Sequence, residues 1–434
     1  MGEFFEYLQN ALHNKSFQNN HKIKNDLLRR IPINRDIDSC YSIQNSYPGL
    51  LDSFDSSSLS IDNSVLSANK FPLDTFSCKL SSTHLFNIGS VDVKTPIISA
   101  PMAGISDNTY RIFARFFGSS LTFTEMISSY GIYYGHKKTL SLAHISDFER
   151  PCALQIFGSE PDVMAEASQR IEHIADMIDI NMGCSVPKIL KSKSGGYLLQ
   201  EKKRVEKILS KVVSVVKKPV TVKTRIGWDS KSINILEIAK IAEASGVSAI
   251  IIHGRTVRQG FSGKVDYEII KKVKESVQIP VIANGDIDSP LKAKQILDYT
   301  GCDGVMIGRA SRGSAWVFLD TLVFLVLGSN DSIKEYYVSR YANNFINKNA
   351  CKNDEMLFFK KLLSPSLGWK KAYAKLYIEF LAYFKGEEKA VKEFRKILGW
   401  IFKKERGVSR LREKFFKVET YEDAINVIDN LEIS

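Results

Sequence analysis

Eight short β-branched runs, spaced along residues 96–307, constrain this chain more than any other feature. They read Pro96-Ile97-Ile98-Ser99, Leu121-Thr122-Phe123-Thr124, Ala153-Leu154-Gln155-Ile156, Met177-Ile178-Asp179-Ile180, Val220-Thr221-Val222-Lys223, Ala249-Ile250-Ile251-Ile252, Pro280-Val281-Ile282-Ala283 and Val305-Met306-Ile307. Between most of them lie amphipathic segments, such as 205–216, 233–244 and 267–277. Near-continuous apolar strands need cover on both faces, and intervening helices supply it, so the pattern predicts a parallel sheet. Eight such units are the number that closes a (β/α)8 TIM barrel. An open doubly wound sheet is the competing architecture, but no Gly-x-Gly-x-x-Gly follows the first run.

The flanks have a different texture. Residues 1–85 are rich in Ser and Asn and lack apolar periodicity, as in Ser53-Phe54-Asp55-Ser56-Ser57-Ser58-Leu59-Ser60, which predicts a disordered or loosely attached extension. The barrel is expected over 86–318. From 319 to 434 no further strand–helix alternation occurs, and segments 357–363, 371–384 and 391–402 have helical period, which predicts a helical C-terminal domain. The 434 residues carry a net charge of +12, and residues 385–417 hold twelve Lys/Arg against five Asp/Glu. Such an excess favours a polyanionic partner such as nucleic acid, although a charged helix face is by default only solvated. The six cysteines (Cys40, Cys78, Cys152, Cys184, Cys302, Cys351) are scattered, which fits a reducing cytosol and argues against a disulfide framework or a zinc cluster. The N-terminus carries Glu3 and Glu6 and lacks a continuous apolar segment of the secretory kind, and the apolar stretch 315–327 is interrupted by Asp320 and too short to span a bilayer. A cytoplasmic, monomeric protein without membrane or metal is expected.

Chemistry is normally assembled at strand C-termini in such barrels. Asn181-Met182-Gly183-Cys184 follows the fourth run and sets one cysteine in a glycine-punctuated turn there. The first run enters Ala100-Pro101-Met102-Ala103-Gly104, a small-residue loop that lets backbone approach a flat ligand. The third carries Gln155, an amide that can donate and accept. The fifth ends Lys223-Thr224-Arg225, two cations that point the same way because strand side chains alternate. The sixth ends His253-Gly254-Arg255, the seventh Asn284-Gly285-Asp286 and the eighth Gly308-Arg309. The loops after strands seven and eight are the usual phosphate site of a barrel, where Gly285 and Gly308 allow close approach and Arg309 supplies counter-charge. With Lys223 able to stabilise negative charge on a reduced ring, the set suits flavin mononucleotide (FMN). Any one of these glycines is more often a simple turn, and a lone cysteine more often a small buried hydrophobe. Their recurrence at the same end of most strands is what points to a site.

Six of these motifs together carry a resemblance. Ala100-Pro101-Met102-Ala103-Gly104, Gln155-Ile156-Phe157-Gly158, Asn181-Met182-Gly183-Cys184, His253-Gly254-Arg255-Thr256, Ile282-Ala283-Asn284-Gly285-Asp286 and Gly308-Arg309 resemble, in order, those of the tRNA-dihydrouridine synthases, nearest the bacterial type B branch. Arg395-Lys396-Ile397-Leu398-Gly399-Trp400 looks like that family's helical-domain signature. The resemblance implies an FMN-bound barrel that reduces uracil in tRNA with NADPH. It implies Cys184 as the general acid and Asn181 in contact with the target base. The flavin would be held by residues matching Pro101, Met102, Ala103, Gln155, Lys223, Asn284, Gly285, Asp286, Gly308 and Arg309, with His253 close to it. Arg225 and Arg255 are expected on the RNA side. The chain departs from the family pattern at Ser185, where Pro is usual, and at Ile397 and Ile401, where His and Tyr are usual. Two other readings are an FMN barrel acting on free bases, of the dihydroorotate or dihydropyrimidine dehydrogenase kind, and an RNA-binding barrel without catalysis. The first does not need the basic tail, and the intact Cys184 and Lys223 weigh against the second.

Overall fold

The computed structural model describes residues 86–327, 365, 367–403, 405 and 408–431. The expected extension 1–85 and the helical segment 357–363 lie outside them. Two compact units form, one spanning His84–Leu327 with Gly399–Ile401, the other containing the C-terminal helices.

The first unit opens with a hairpin, β1 (Phe86–Ile88) and β2 (Val91–Val93), turned at Gly89 with φ +57°. Eight parallel strands then form the ring: β3 (Ile97–Ser99), β4 (Thr122–Phe123), β6 (Cys152–Phe157), β7 (Met177–Met182), β8 (Val220–Arg225), β9 (Ala249–His253), β10 (Val281–Asn284) and β11 (Gly304–Ile307). A two-residue strand, β5 (Ile127–Ser128), adds to the C-terminal end of β6. The pairing order β3-β11-β10-β9-β8-β7-β6-β4 returns to its start through the parallel bridge Ile98↔Leu121, where Ser99 N–H donates to Leu121 O at 3.1 Å. Each of the eight predicted runs overlaps one of these strands, and the fold is the expected (β/α)8 barrel. Helices Lys202–Val215, Ile235–Ala244 and Tyr267–Ser276 stand where 205–216, 233–244 and 267–277 were predicted, each burying an apolar stripe such as Val205, Ile208, Leu209 and Val212.

The barrel interior is graded along its axis. Its apolar layer joins Ile98, Leu121, Phe123, Ala153, Met177, Ala249, Ile251, Ile282 and Met306, and the hairpin contributes Ile88 and Val93 to the same cluster. Because successive side chains alternate, the inward positions that follow toward the strand C-termini are Gln155, Asp179, Asn181, Thr221, Lys223, Arg225, His253 and Asn284. The interior passes from hydrocarbon to polar groups within two or three residues. The apolar helix Trp316–Leu327 belongs to this unit, so the boundary expected at 318 falls inside a helix.

The second unit contains helices Leu367–Lys385, Glu387–Ile401 as far as Leu398, Val408–Phe416 and Tyr421–Asp429, the first two helices covering the predicted segments 371–384 and 391–402 up to Ile401. Tyr377, Phe394 and Phe415 join these helices, with ring centroids 6.3 and 5.6 Å apart. Gly386, at φ +79°, makes the left-handed turn between the first two. No helix among the described residues is long and apolar enough to cross a membrane.

Candidate active site

The C-terminal mouth holds a continuous hydrogen-bonded chain. Asp179, wholly buried on β7, accepts from Thr221 Oγ1 at 2.6 Å and from Gln155 Nε2 at 2.7 Å. Gln155 Oε1 accepts from Asn181 Nδ2 at 2.8 Å, and Asn181 Oδ1 accepts from the Cys184 and Gly183 N–H groups at 3.0 and 3.2 Å. The amide orientations are fixed at both ends. An ionised carboxylate only accepts, so it takes the Gln155 NH2, while backbone N–H groups only donate and demand the Asn181 oxygen. The turn carrying the thiol is therefore oriented from a carboxylate deep in the barrel. Asp179 was not among the predicted site residues. Its signal in the sequence is an acidic residue inside the apolar run Met177-Ile178-Asp179-Ile180.

Burial penalises the anion, and despite hydrogen bonds from Thr221 and Gln155 and the nearby Lys223 ammonium, the Asp179 carboxyl is pushed up to about 7. Burial likewise pulls Lys223 down to about 8, aided by Arg225 and opposed by Asp179 and Cys184. Lys223 Nζ donates to the neutral Asn284 Oδ1 at 3.1 Å, and Asn284 Nδ2 donates to Met306 O at 2.7 Å. The Cys184 thiol is raised above its ordinary value by burial, with the Val186 backbone, Arg225 and Lys223 opposing, which keeps it protonated at neutral pH. His253 is depressed to about 2 by burial and by the cations Arg225, Lys223, Arg255 and Arg309, so its imidazole is neutral.

The loops after β9, β10 and β11 meet at Asp286. Its carboxylate takes Arg255 Nη1 at 2.9 Å and Arg309 Nη2 at 2.7 Å, leaving two guanidinium groups on one carboxylate. Gly285 sits at φ +125°, and a Cβ there would lie 2.9 Å from the His253 ring and from Val265, so the close approach requires glycine. Phe261 lies under both Arg309 and Arg225, at 4.5 and 5.7 Å from its centroid. On β11's exit, Gly308 O accepts from Ser311 Oγ at 2.7 Å, and Tyr110 OH pairs with that hydroxyl at 2.6 Å. The loop after β3 turns on Met102 O, which accepts from Ser106 N–H at 2.9 Å, and leaves Pro101, Met102 and Ala103 partly or fully accessible.

Arg225 and Arg255, expected on the RNA side, are only 4% and 2% exposed. Arg225 donates to Gly183 O (2.8 Å), Thr256 O (2.9 Å) and Gly260 O (2.7 Å), and Arg255 to Ser262 O (2.9 Å) and Gly263 O (2.6 Å) as well as to Asp286. In this arrangement both arginines fasten loops. The residues that depart from the family pattern in the tail, Ile397 and Ile401, are buried and serve as packing. Among the described residues no group of three or more His, Cys, Asp or Glu could hold a metal ion.

The mouth therefore combines a half-buried ammonium without a carboxylate partner of its own, a two-to-one guanidinium excess, a glycine whose Cβ position must stay empty and a protonated thiol. Such a set fits a flat ligand with an anionic edge and a phosphate, as FMN has. These features define a catalytic-type barrel mouth, and the similarities narrow it. A model of the dihydrouridine synthase (Dus) family matches residues 98–433, and the chain belongs to that family. Its relatives include tRNA-dihydrouridine synthase B of Pasteurella multocida (strain Pm70), 41% identical over 315 residues, 72% of this chain and 85% of the relative. The protein of the same name from Xanthomonas axonopodis pv. citri is 36% identical over 317 residues, 73% and 86% of the two chains. That of Escherichia coli (strain K12) is 44% identical over 243 residues, 56% and 75%.

Proposed function

We propose that this chain reduces uridines in tRNA to 5,6-dihydrouridine, with FMN at the barrel mouth, NADPH as reductant and Cys184 as general acid. The observation that carries the reading is the union, in one mouth, of a protonated thiol with a half-buried ammonium and paired arginines suited to an anionic ring and a phosphate. When bound, FMN supplies the two electrons taken from NADPH that saturate the C5–C6 bond. The protein's own tasks are then to seat the uracil, exclude water and deliver one proton.

Cys184 Sγ is the acid that gives the proton to C5, because its elevated pKa keeps it a thiol at neutral pH. His253 is held neutral by burial and by four nearby cations and cannot compete for that role. Asn181 keeps the thiol turn in place through its amide oxygen, while its NH2 is held by Gln155 Oε1. Lys223 offsets negative charge on the flavin ring, while Gly285, Gly308 and Arg309 receive its phosphate, with Asp286 setting the angle of Arg309. Arg225 and Arg255 act by fastening the loops after strands β7 and β9 around the mouth. Presenting a uracil requires a nucleotide flipped out of tRNA at a cost of a few kcal/mol, which stacking and phosphate contacts must offset.

The test is the Cys184→Ala variant. Purified protein should be yellow, and the variant should retain FMN and accept electrons from NADPH, yet leave tRNA uridines unreduced. A wild type that is colourless and cannot be loaded with FMN would overturn the flavin reading, and wild-type dihydrouridine formation by the variant would remove Cys184 from the chemistry.

A further inference from the structure

The segment 129–142 leaves an aromatic and basic surface beside the mouth that none of these roles uses. Helix Ser129–Tyr133 starts directly after β5, whose Ser128 pairs with Phe157 at the C-terminal end of β6, so the segment leaves from the end of the barrel that holds the site. Just before β5, Met126 Sδ lies 3.8 Å from the Asn181 amide nitrogen. Beyond it, Tyr130 and Tyr134 are 39% and 65% exposed, and their rings are near-parallel, with centroids 6.3 Å apart and planes 16° apart. Tyr134 and the exposed His136 repeat the arrangement at 6.2 Å and 26°. Tyr133 is braced from behind, its carbonyl taking Arg170 Nη1 at 2.6 Å and its ring lying 5.2 Å from that guanidinium. Lys137 and Lys138 follow, both exposed and without a carboxylate partner among the described residues. The nearby acids do not cancel them, since Glu166 is paired with Arg170 and Glu160 lies toward Tyr130, at the other end of the patch.

Three aligned aromatic rings in water are an unusual surface for a short helix and turn, and adjoining cations without partners give it a definite chemistry. Nucleobases stack on such rings whatever their sequence, and the phosphates that join them seek the lysines. We infer that Tyr130, Tyr134 and His136 form a stacking platform for unpaired bases flanking the target uridine, with Lys137 and Lys138 on the adjoining phosphates. The inference rests on tRNA being the substrate and adds a second contact surface, on the barrel itself. Charge complementarity favours RNA over a second copy of this chain, whose net charge of +12 would repel it.

The test uses the full chain and unmodified tRNA transcripts, with binding measured over a range of salt concentrations. Tyr134→Ala should weaken binding about tenfold, given the ~1–3 kcal/mol typical of one base–aromatic stack, while Tyr134→Phe restores it. The Lys137→Gln/Lys138→Gln double variant should make the salt dependence shallower by roughly 1.4 in the log–log slope, at about 0.7 per phosphate of a single strand. Flavin content and reduction by NADPH should be unchanged in all three. If wild type binds tRNA and forms dihydrouridine while Tyr134→Ala binds equally well, the platform is refuted and the proposed activity stands. If Tyr134→Ala instead abolishes self-association seen by sedimentation, with tRNA binding intact, the patch belongs to a dimer. A wild type that neither binds nor modifies tRNA removes both ideas.

Discussion

Replacing Asp179 by Asn should make the barrel more stable at alkaline pH, and the gain should vanish as the pH falls. The carboxyl is wholly buried and raised from 3.8 to about 7, chiefly because burial penalises the anion. In the unfolded chain the same group titrates near its ordinary value, so between about pH 4 and 7 the folded state holds a proton that the unfolded state has released. Stability must fall as pH rises through that window, and the full penalty is present above about 7. At about 1.4 kcal/mol for each pH unit, the penalty reaches ~4 kcal/mol at pH 8. Asn cannot titrate, and it can still accept from Gln155 through its oxygen while its NH2 faces Thr221 Oγ1, which is able to accept. The stability difference between Asp179→Asn and wild type should therefore be a small constant at pH 4 and grow by up to ~4 kcal/mol by pH 8. Urea midpoints measured every half pH unit would report it. Trp228, on the barrel, should be read separately from Trp369, on the helical unit, because two units need not unfold together. A difference independent of pH, or one of opposite sign, would refute the assignment of Asp179 as a buried, strained anion.

The same structure carries three further expectations. Thr221→Val removes a donor that favours the Asp179 anion, so it should cost ~1.5–3 kcal/mol at pH 8 and distinctly less at pH 5, measured by the same titration. Arg111 is 2% exposed, its Nε 2.5 Å from the wholly buried Glu149, and it also donates to Ser106 O at 2.6 Å and His144 O at 2.9 Å; Arg111→Met should destabilise by ~3–5 kcal/mol and adding Glu149→Gln should recover part of it, so equal single and double variants would refute the pairing. Lys223 is held down to about 8, so FMN uptake by flavin-free protein should weaken as pH rises past that value, and Lys223→Arg should move the decline to higher pH in a fluorescence titration.

The eight runs are legible in the sequence because each barrel strand has an outward face covered by helices and an inward face that begins in hydrocarbon. That makes Val220-Thr221-Val222 and Ala249-Ile250-Ile251-Ile252 apolar enough to stand out. The pairing of Thr122–Phe123 is only two residues long, yet Leu121 and Phe123 are wholly buried, so composition marks it where hydrogen bonding barely does. Less legible are elements whose reason for existing lies elsewhere in the chain. The hairpin at 86–93 alternates correctly about Gly89, but only the barrel's apolar layer gives Ile88 and Val93 a place to go. Arg225 and Arg255 show the same limit from the other side. A cation at a strand end reads as a ligand for an anion, and nothing local reveals that carbonyls of residues 183, 256, 260, 262 and 263 will converge on them. In the tail, the basic excess over 385–417 is only partly presented as an exposed face. Lys389, Lys392, Lys396 and Lys403 are exposed at spacings of three, four and seven, but Arg395 is spent on Val418 O at 2.7 Å and Lys392 is paired with Glu388. Lys404 and Arg406 lie outside the described residues.

A carboxylate that weakens the fold needs a reason to remain, and its neighbours supply one. A neutral side chain at 179 could satisfy Thr221 and Gln155 in either sense, because a hydroxyl and an amide each donate and accept. An acceptor on both oxygens forces, from the barrel end, the Gln155 NH2 inward, its carbonyl toward Asn181 and the Asn181 oxygen toward the Cys184 turn. The reversed sense would set the Asn181 NH2 against two backbone N–H groups and leave all three donors without acceptors, at ~1–3 kcal/mol for each buried one. The charge thus reinforces, from within the barrel, a direction that the Gly183 and Cys184 N–H groups demand at the other end. Protonation near neutral pH weakens that direction without moving an atom of the backbone, so the order of the thiol turn should decline below about pH 7 in wild type. Amide hydrogen exchange at Cys184 would register it as protection that falls on acidification after correction for intrinsic exchange, and protection independent of pH in wild type would show that the turn holds itself.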